Sequence, residues 1–120
     1  MKVGINGFGR IGRSVFRILE EVEGIDVVAI NDLFDNDALR YLLSYDTVMG
    51  PFGKSLVLED DHFVTPNTRA RLVSESNPAD LPWADLGVDV VVEATGVFRK
   101  REQLEQHLAA GASQVLLTVP

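Results

Sequence analysis

Four stretches of this 120-residue chain are apolar with little interruption: "KVGIN" (2–6), "IDVVAIND" (25–32), "GVDVVVEATG" (87–96) and "SQVLLTV" (113–119). Short β-branched runs of this kind are the pattern of strands covered on both faces, as in a parallel sheet. Between them the spacing changes. Ile11, Val15, Ile18, Leu19 and Val22 recur at three- and four-residue steps, which predicts a helix from Arg10 to Val22 with those side chains inward and Gly24 at its end. A second helix is expected over 36–44, capped by Asp35 or Asn36, with Leu39, Leu42 and Leu43 on the buried side. A third, "KREQLEQHLAAG", ends at Gly111.

The remaining segments are more broken. "YDTVMGPFGK" reads as loop and "NPADLPW" as irregular, while "SLVLEDDHFVTPNTRARLV" alternates loosely around two turn signals, "EDD" and "TPN", as short antiparallel strands do. Buried strands alternating with helices predict a doubly wound α/β sheet, mainly parallel. The segment near 55–73 would be a small antiparallel excursion from it.

Composition narrows the function. With 46% hydrophobic and 24% charged residues the chain has the balance of one globular domain, taken to run over 1–120. The net charge of -7 and the scatter of its eleven basic residues argue against nucleic acid or an anionic membrane as partner, since both need a basic face. No apolar run approaches the roughly 18 residues of a membrane-spanning helix, and "MKVGING" has no signal core, so a cytoplasmic location is expected. The absence of cysteine excludes a disulfide framework, a cysteine metal site and a thiol nucleophile within the chain, and no metal site is expected.

The chemistry concentrates at the end of the first strand. Gly7, Gly9 and Gly12 form a G-x-G-x-x-G motif, which alone is weak because glycine is common in turns. Here it follows a strand, opens a helix and lies within a strand–helix–strand unit. Gly7 then permits the sharp turn, Gly9 leaves room for a diphosphate and Gly12 lets helix and strand pack closely. The first-turn amides lack intrahelical partners and sit at the positive end of the helix dipole, so an anion satisfies them. Asp32 follows the second strand, twenty residues past Gly12, where a carboxylate accepts hydrogen bonds from the hydroxyls of an adenosine ribose. Together these residues predict a Rossmann-type dinucleotide site. The carboxylate repels a 2′-phosphate, and neighbouring Leu33 supplies no cation to offset it, so the expected cofactor is NAD rather than NADP.

"KVGINGFGRIGR", "VVAINDL", "YDTVMGPF", "NPADLPW", "VDVVVEATGVF" and "HLAAGASQVLLTVP" occur in that order. In this the chain resembles the N-terminal, NAD-binding part of the phosphorylating glyceraldehyde-3-phosphate dehydrogenases along essentially its whole length. The resemblance implies that the backbone amides of Arg10 and Ile11 lie near the pyrophosphate, with Phe8 and Asn31 adjoining the site. It places Leu33 against the adenine side and Thr95 and Gly96 at the cofactor's border. Asn77 replaces the arginine of the family's "ERDP", a mild departure because the usual contact there is a backbone carbonyl. Thr118 stands in "TVP" where the family has "SAP", keeping a hydroxyl near the nicotinamide ribose.

The family's reaction needs a cysteine thiolate, hydride transfer to NAD and phosphate attack on a thioester. The cysteine, its histidine and the phosphate sites belong to a second domain, and relatives form homotetramers. The resemblance therefore implies a piece that binds NAD without turnover, meets its sugar phosphate only through that other domain, and leaves an apolar sheet edge. No catalytic residue is expected here. Erythrose-4-phosphate dehydrogenase shares the opening motif and remains an alternative, as does a stand-alone NAD-binding module.

Other side chains are read as structural. His62 and His107 are expected at the surface or in packing, Trp83 and Phe98 in packing, and Glu93 in a structural role without a partner. Arg10, Arg13 and Arg17 form a basic stretch on the first helix. Arg17 is expected in solvent, while Arg10 and Arg13 are candidates to attract a dianionic cofactor.

Overall fold

The computed structural model describes residues 1–46, 50–97 and 101–118. Phe98, the middle of the "YDTVMGPFGK" loop, the start of the third helix at Lys100 and the strand end at Val119 lie outside the described residues.

One seven-stranded sheet organises the chain. Its strands are β1 (Lys2–Asn6), β2 (Asp26–Asn31), β5 (Val57–Glu59), β6 (His62–Val64), β7 (Arg69–Val73), β8 (Val90–Glu93) and β9 (Gln114–Leu117). Two two-residue strands, β3 (Tyr45–Asp46) and β4 (Gly50–Pro51), pair separately, so part of the expected loop is an antiparallel ladder. The order is β5-β6-β7-β2-β1-β8-β9. From β7 to β9 all pairings are parallel, whereas β5, β6 and β7 are antiparallel neighbours. The excursion expected near 55–73 is therefore an extension of the main sheet, because its last strand docks in parallel on β2.

Each face carries its own core. On one, Val3, Ile5, Ile30 and Val92 meet Phe16 of helix α1 (Arg10–Leu19) and Leu39 and Leu43 of helix α2 (Asn36–Ser44). On the other, Ala29 and Val91 meet Trp83, Leu81 and Ala112 beside helix α3 (Arg101–Ala109). This alternation of adjacent strand residues between two cores is why the strands read as continuous apolar runs. Among the described residues β9 is the outermost strand on that side; Leu116 is exposed, and a groove of about 560 Å³ runs between β9 and α3, lined by Val90, Leu104, Leu108 and Val115.

Two helices depart from expectation: in α2 Leu39 and Leu43 are buried but Leu42 only half-buried, and α1 differs more. Helix α2 has the bounds and the Asp35 cap read from the sequence, the carboxylate accepting from the Ala38 amide at 2.8 Å. Helix α1 ends at Leu19 rather than Val22; Val15 and Leu19 pack against the core as expected, but its fully buried residues are Gly12, Arg13 and Phe16, and Ile11, Ile18 and Val22 are exposed. The glycine contributes no hydrophobic signal yet lies on the contact face, its backbone pressed against the Gly7 carbonyl and the Ile5 side chain.

The three arginines of α1 do not act together. Arg13 is buried and donates to the Phe8 carbonyl at 3.0 Å. Arg17, expected in solvent, donates to the carbonyls of Leu43 at 2.6 Å and Gly50 at 2.8 Å, its guanidinium 5.6 Å from the Phe52 ring centre. Arg10 alone of the three is exposed.

Candidate functional site

The ends of β1, β2 and β8 converge on a cleft of about 400 Å³. After Asn6 the chain turns at Gly7, whose φ of 97° suits glycine, and the Gly7 amide donates to the Asn31 carbonyl at 2.8 Å. A Cβ on Gly12 would overlap the Gly7 carbonyl oxygen, so turn and helix are pressed backbone to backbone. Gly9 differs. It is the N-cap of α1, in extended conformation, and a Cβ built on it meets nothing within 4 Å. No side chain caps the helix and its first turn holds no acidic residue. Its positive end therefore opens toward the cleft that Gly7 and Gly9 line, which suits the approach of a phosphate-bearing ligand.

Asp32 lies across from this turn and is fixed by it. One carboxylate oxygen accepts from the Phe8 amide at 2.7 Å, the other from the Phe34 amide at 3.0 Å. The glycine turn and the acidic residue thus form one hydrogen-bonded unit, a link that their spacing did not disclose. Each carboxylate oxygen offers about two acceptor positions, so this pair of bonds leaves capacity for a ligand's hydroxyls.

Of the residues read from the sequence, Gly7, Gly9, Asn31, Asp32, Leu33 and Thr95 line the cleft. Phe8 contributes its amide while its ring is buried, 5.8 Å from the Phe16 ring centre. Arg10, Ile11 and Gly12 form the first helical turn beside the lining. Gly96 falls between the lining residues Thr95 and Val97. Asn77 is exposed and its side chain accepts from the Ala79 amide, whereas Glu75 and Ser76 line the cleft. The Thr118 hydroxyl donates to the Glu93 carbonyl at 3.0 Å, a bond internal to the sheet end. Phe34, Glu75, Ser76 and Val97 were not foreseen, since they arrive on loops placed by strand pairing.

Beneath the cleft runs a buried polar chain. Asn6 is level with Asn31 on one side and Glu93 on the other, so three parallel strands end in a row of polar side chains. Asn31 Nδ2 donates to Asn6 Oδ1, and Asn6 Nδ2 donates to Glu93 Oε1, each at 2.7 Å. Asn31 also holds the Glu75 main chain, with bonds of 2.8 and 2.9 Å. Glu93 accepts further from the Thr95 amide at 3.0 Å, the Thr95 hydroxyl at 2.6 Å and His107 Nε2 at 2.7 Å. The Trp83 indole donates to His107 Nδ1 at 3.0 Å. Because an indole N–H only donates, Nδ1 must accept, which assigns the ring proton to Nε2 and directs it at Glu93.

Glu93 therefore has partners where none was expected, and His107 is fully buried as one of them. The available signal was the polar residue closing each of three apolar strands. His62 is half-buried on β6 and contacts the Asp60 carbonyl. Burial by itself would raise the Glu93 pKa, but the hydrogen bonds from His107, Thr95 and Asn6 outweigh it and hold the carboxyl below its ordinary 4.5. A lowered folded-state pKa stabilises the fold above the unfolded value and loses that contribution as pH falls through the folded one. In denaturant titrations the unfolding free energy should fall as pH drops below 4.5, and less steeply in Glu93→Gln, which cannot titrate. Equal slopes would refute this.

Comparison with known proteins agrees with the geometry. A family model described as "Glyceraldehyde 3-phosphate dehydrogenase, NAD binding domain" matches residues 1–101. The chain is 48% identical over 120 residues to the glyceraldehyde-3-phosphate dehydrogenase of Escherichia fergusonii. It is 46% identical over 121 to that of Streptomyces coelicolor, and 47% over 120 to glyceraldehyde-3-phosphate dehydrogenase A of Escherichia coli. All of this chain is covered in each case, and 36% of the relative, so it spans about a third of their length. The turn, the carboxylate and the matched sequence agree: this chain belongs to the NAD-binding domain family of the glyceraldehyde-3-phosphate dehydrogenases.

Proposed function

We propose that this chain is the NAD-holding part of a phosphorylating glyceraldehyde-3-phosphate dehydrogenase that works in the cytoplasm. The observation that carries the reading is the coupling of an open, uncapped helix start at Gly9 to a carboxylate held by the neighbouring Phe8 amide. In this reading the amides of Arg10 and Ile11 take the pyrophosphate, Asp32 the adenosine ribose, and Leu33 with the Asn77 backbone the adenine side. Thr95 and Gly96 border the cofactor, and Thr118 lies near the nicotinamide ribose. Bound NAD supplies a hydride acceptor, and the chain's own residues bind and orient it.

The covalent chemistry lies elsewhere in the whole protein. There is no cysteine among the 120 residues, and His107 is committed to Glu93 and Trp83. A second domain would supply thiolate, base and sugar-phosphate contacts, and the whole protein would assemble as a homotetramer. The isolated chain is expected to bind NAD and give no turnover with glyceraldehyde-3-phosphate, NAD and phosphate. Sustained NADH formation by the pure chain would overturn that.

The Asp32→Ala variant tests the cofactor assignment. By calorimetric titration it should weaken NAD by about 1.5–3 kcal/mol, the range for a hydrogen bond to a charged group. NADP, repelled by the native carboxylate, should lose little or gain. Unchanged NAD affinity in the variant would refute the assignment.

A further inference from the structure

We propose that Glu93 is the positioning residue of the cofactor cleft, held in place by His107 and Trp83, and that it sets both rims of the cleft without touching the ligand. The inference rests on the reading that NAD occupies this cleft. Glu93 is fully buried and does not line the cavity, but groups that do line it hang from its atoms. On one side its carboxylate fixes Thr95 through amide and hydroxyl, and the Thr95 hydroxyl in turn accepts from the Val97 amide at 3.2 Å. On the other it fixes Asn6, hence Asn31 and the main chain at Glu75. Its carbonyl receives both the amide and the hydroxyl of Thr118, each at 3.0 Å.

What sets this carboxylate apart from a merely structural one is that the groups it holds, Asn6 and Thr95, themselves line the cleft. Burying a carboxylate is an inefficient route to stability, since apolar residues of like volume do as well or better. What an ionised acceptor adds is short, strong and directional bonds, and so a rim fixed before the ligand arrives. The His107 proton on Nε2, enforced by the Trp83 indole, keeps the carboxylate turned so that one oxygen serves Asn6 and the other Thr95. The Glu93→Gln variant retains the shape but turns an NH₂ group toward one set of donors. Against Thr95 the hydroxyl can accept, while the amide loses its partner.

The experiment is an NAD titration of the ¹⁵N-labelled chain. In the native protein the Gly9 and Asp32 amides should shift, and with them the Thr95 amide and the indole N–H of Trp83, the chain's one tryptophan. Glu93→Gln and His107→Leu should each weaken NAD about tenfold, the worth of about one charge-assisted hydrogen bond. Both should also abolish the response of the Trp83 indole. His107→Gln, which keeps a donor toward Glu93, should recover most of the affinity. Should His107→Leu not fold, the shape-retaining Glu93→Gln carries the comparison. Folded variants binding within twofold of the native chain, with the Thr95 amide unmoved, overturn the proposal while leaving the cofactor reading intact. A native chain whose Gly9 and Asp32 signals ignore NAD overturns both.

Discussion

The Gly12→Val variant is expected to lose about 3 kcal/mol of stability, a large part of the 5–15 kcal/mol typical of a folded domain. The neighbour that a Cβ at this position meets is the Gly7 carbonyl oxygen, with Ile5 Cγ2 at 3.3 Å beyond it. A flexible side chain would swing aside, but a main-chain oxygen inside a turn cannot. Gly7 is itself confined, since a Cβ there would come within 2.7 Å of the Thr95 amide nitrogen at a φ of 97°. Relief must therefore lift helix α1 off the sheet and strip Phe16 from the core it shares with Phe8 and Phe63.

The Gly9→Ala variant separates folding from binding within the same motif. Its backbone is extended at φ -76° and the new methyl meets nothing, so stability should hold or rise by about 0.4–1 kcal/mol through a less flexible unfolded chain. NAD affinity should fall about tenfold or more, because the methyl occupies the space where a diphosphate approaches the first-turn amides. Urea titration and calorimetry on both variants give the two readouts. A stable Gly12→Val would show that the close contact of helix and strand is not required. Unchanged NAD binding in Gly9→Ala would place the diphosphate elsewhere.

What the sequence disclosed was whatever rests on local chemistry. The Asp35 cap of α2, the glycine turn and Asp32 are each legible because a short segment carries the whole signal. The inward face of α1 was legible in part. Val15 and Leu19 pack against the core as their spacing implied, but Ile11, Ile18 and Val22 are exposed, the close contact belongs to Gly12 and Phe16, and Arg13 and Glu20 are buried although they count as polar. Contacts that depend on register left only one trace in the sequence, the polar residue closing each apolar strand. Asn6, Asn31 and Glu93 become neighbours only once β1, β2 and β8 pair in parallel at one level. Glu75 and Ser76 reach the cleft because β7 docks on β2, with the Asp32 amide bonded to the Val73 carbonyl at 3.1 Å.

Glu20 follows from the same physics and carries the other large expected effect. It closes the C-terminal end of α1, where the helix dipole disfavours an anion, and yet it is buried. The β6–β7 turn compensates. The hydroxyls of Thr65 and Thr68 donate to its carboxylate at 2.5 and 2.6 Å, the Asn67 amide approaches at 3.3 Å, and Asn67 Nδ2 reaches the Glu20 carbonyl at 3.1 Å. Lys54 sits 3.8 Å away and pairs with adjacent Glu21. Removing the carboxylate leaves the Thr65 and Thr68 hydroxyls and the Asn67 amide without their acceptor, at about 1–3 kcal/mol for each buried donor left unsatisfied, while Lys54 keeps Glu21. Glu20→Leu should show that loss in urea titration, and Glu20→Gln about 1–2 kcal/mol, since it retains an acceptor. In a double-mutant cycle with Thr65→Val and Thr68→Val the losses should be strongly non-additive, because the hydroxyls matter only while the carboxylate is there. Additive losses, or a Glu20→Leu variant as stable as the native chain, would mean that the turn does not anchor the helix.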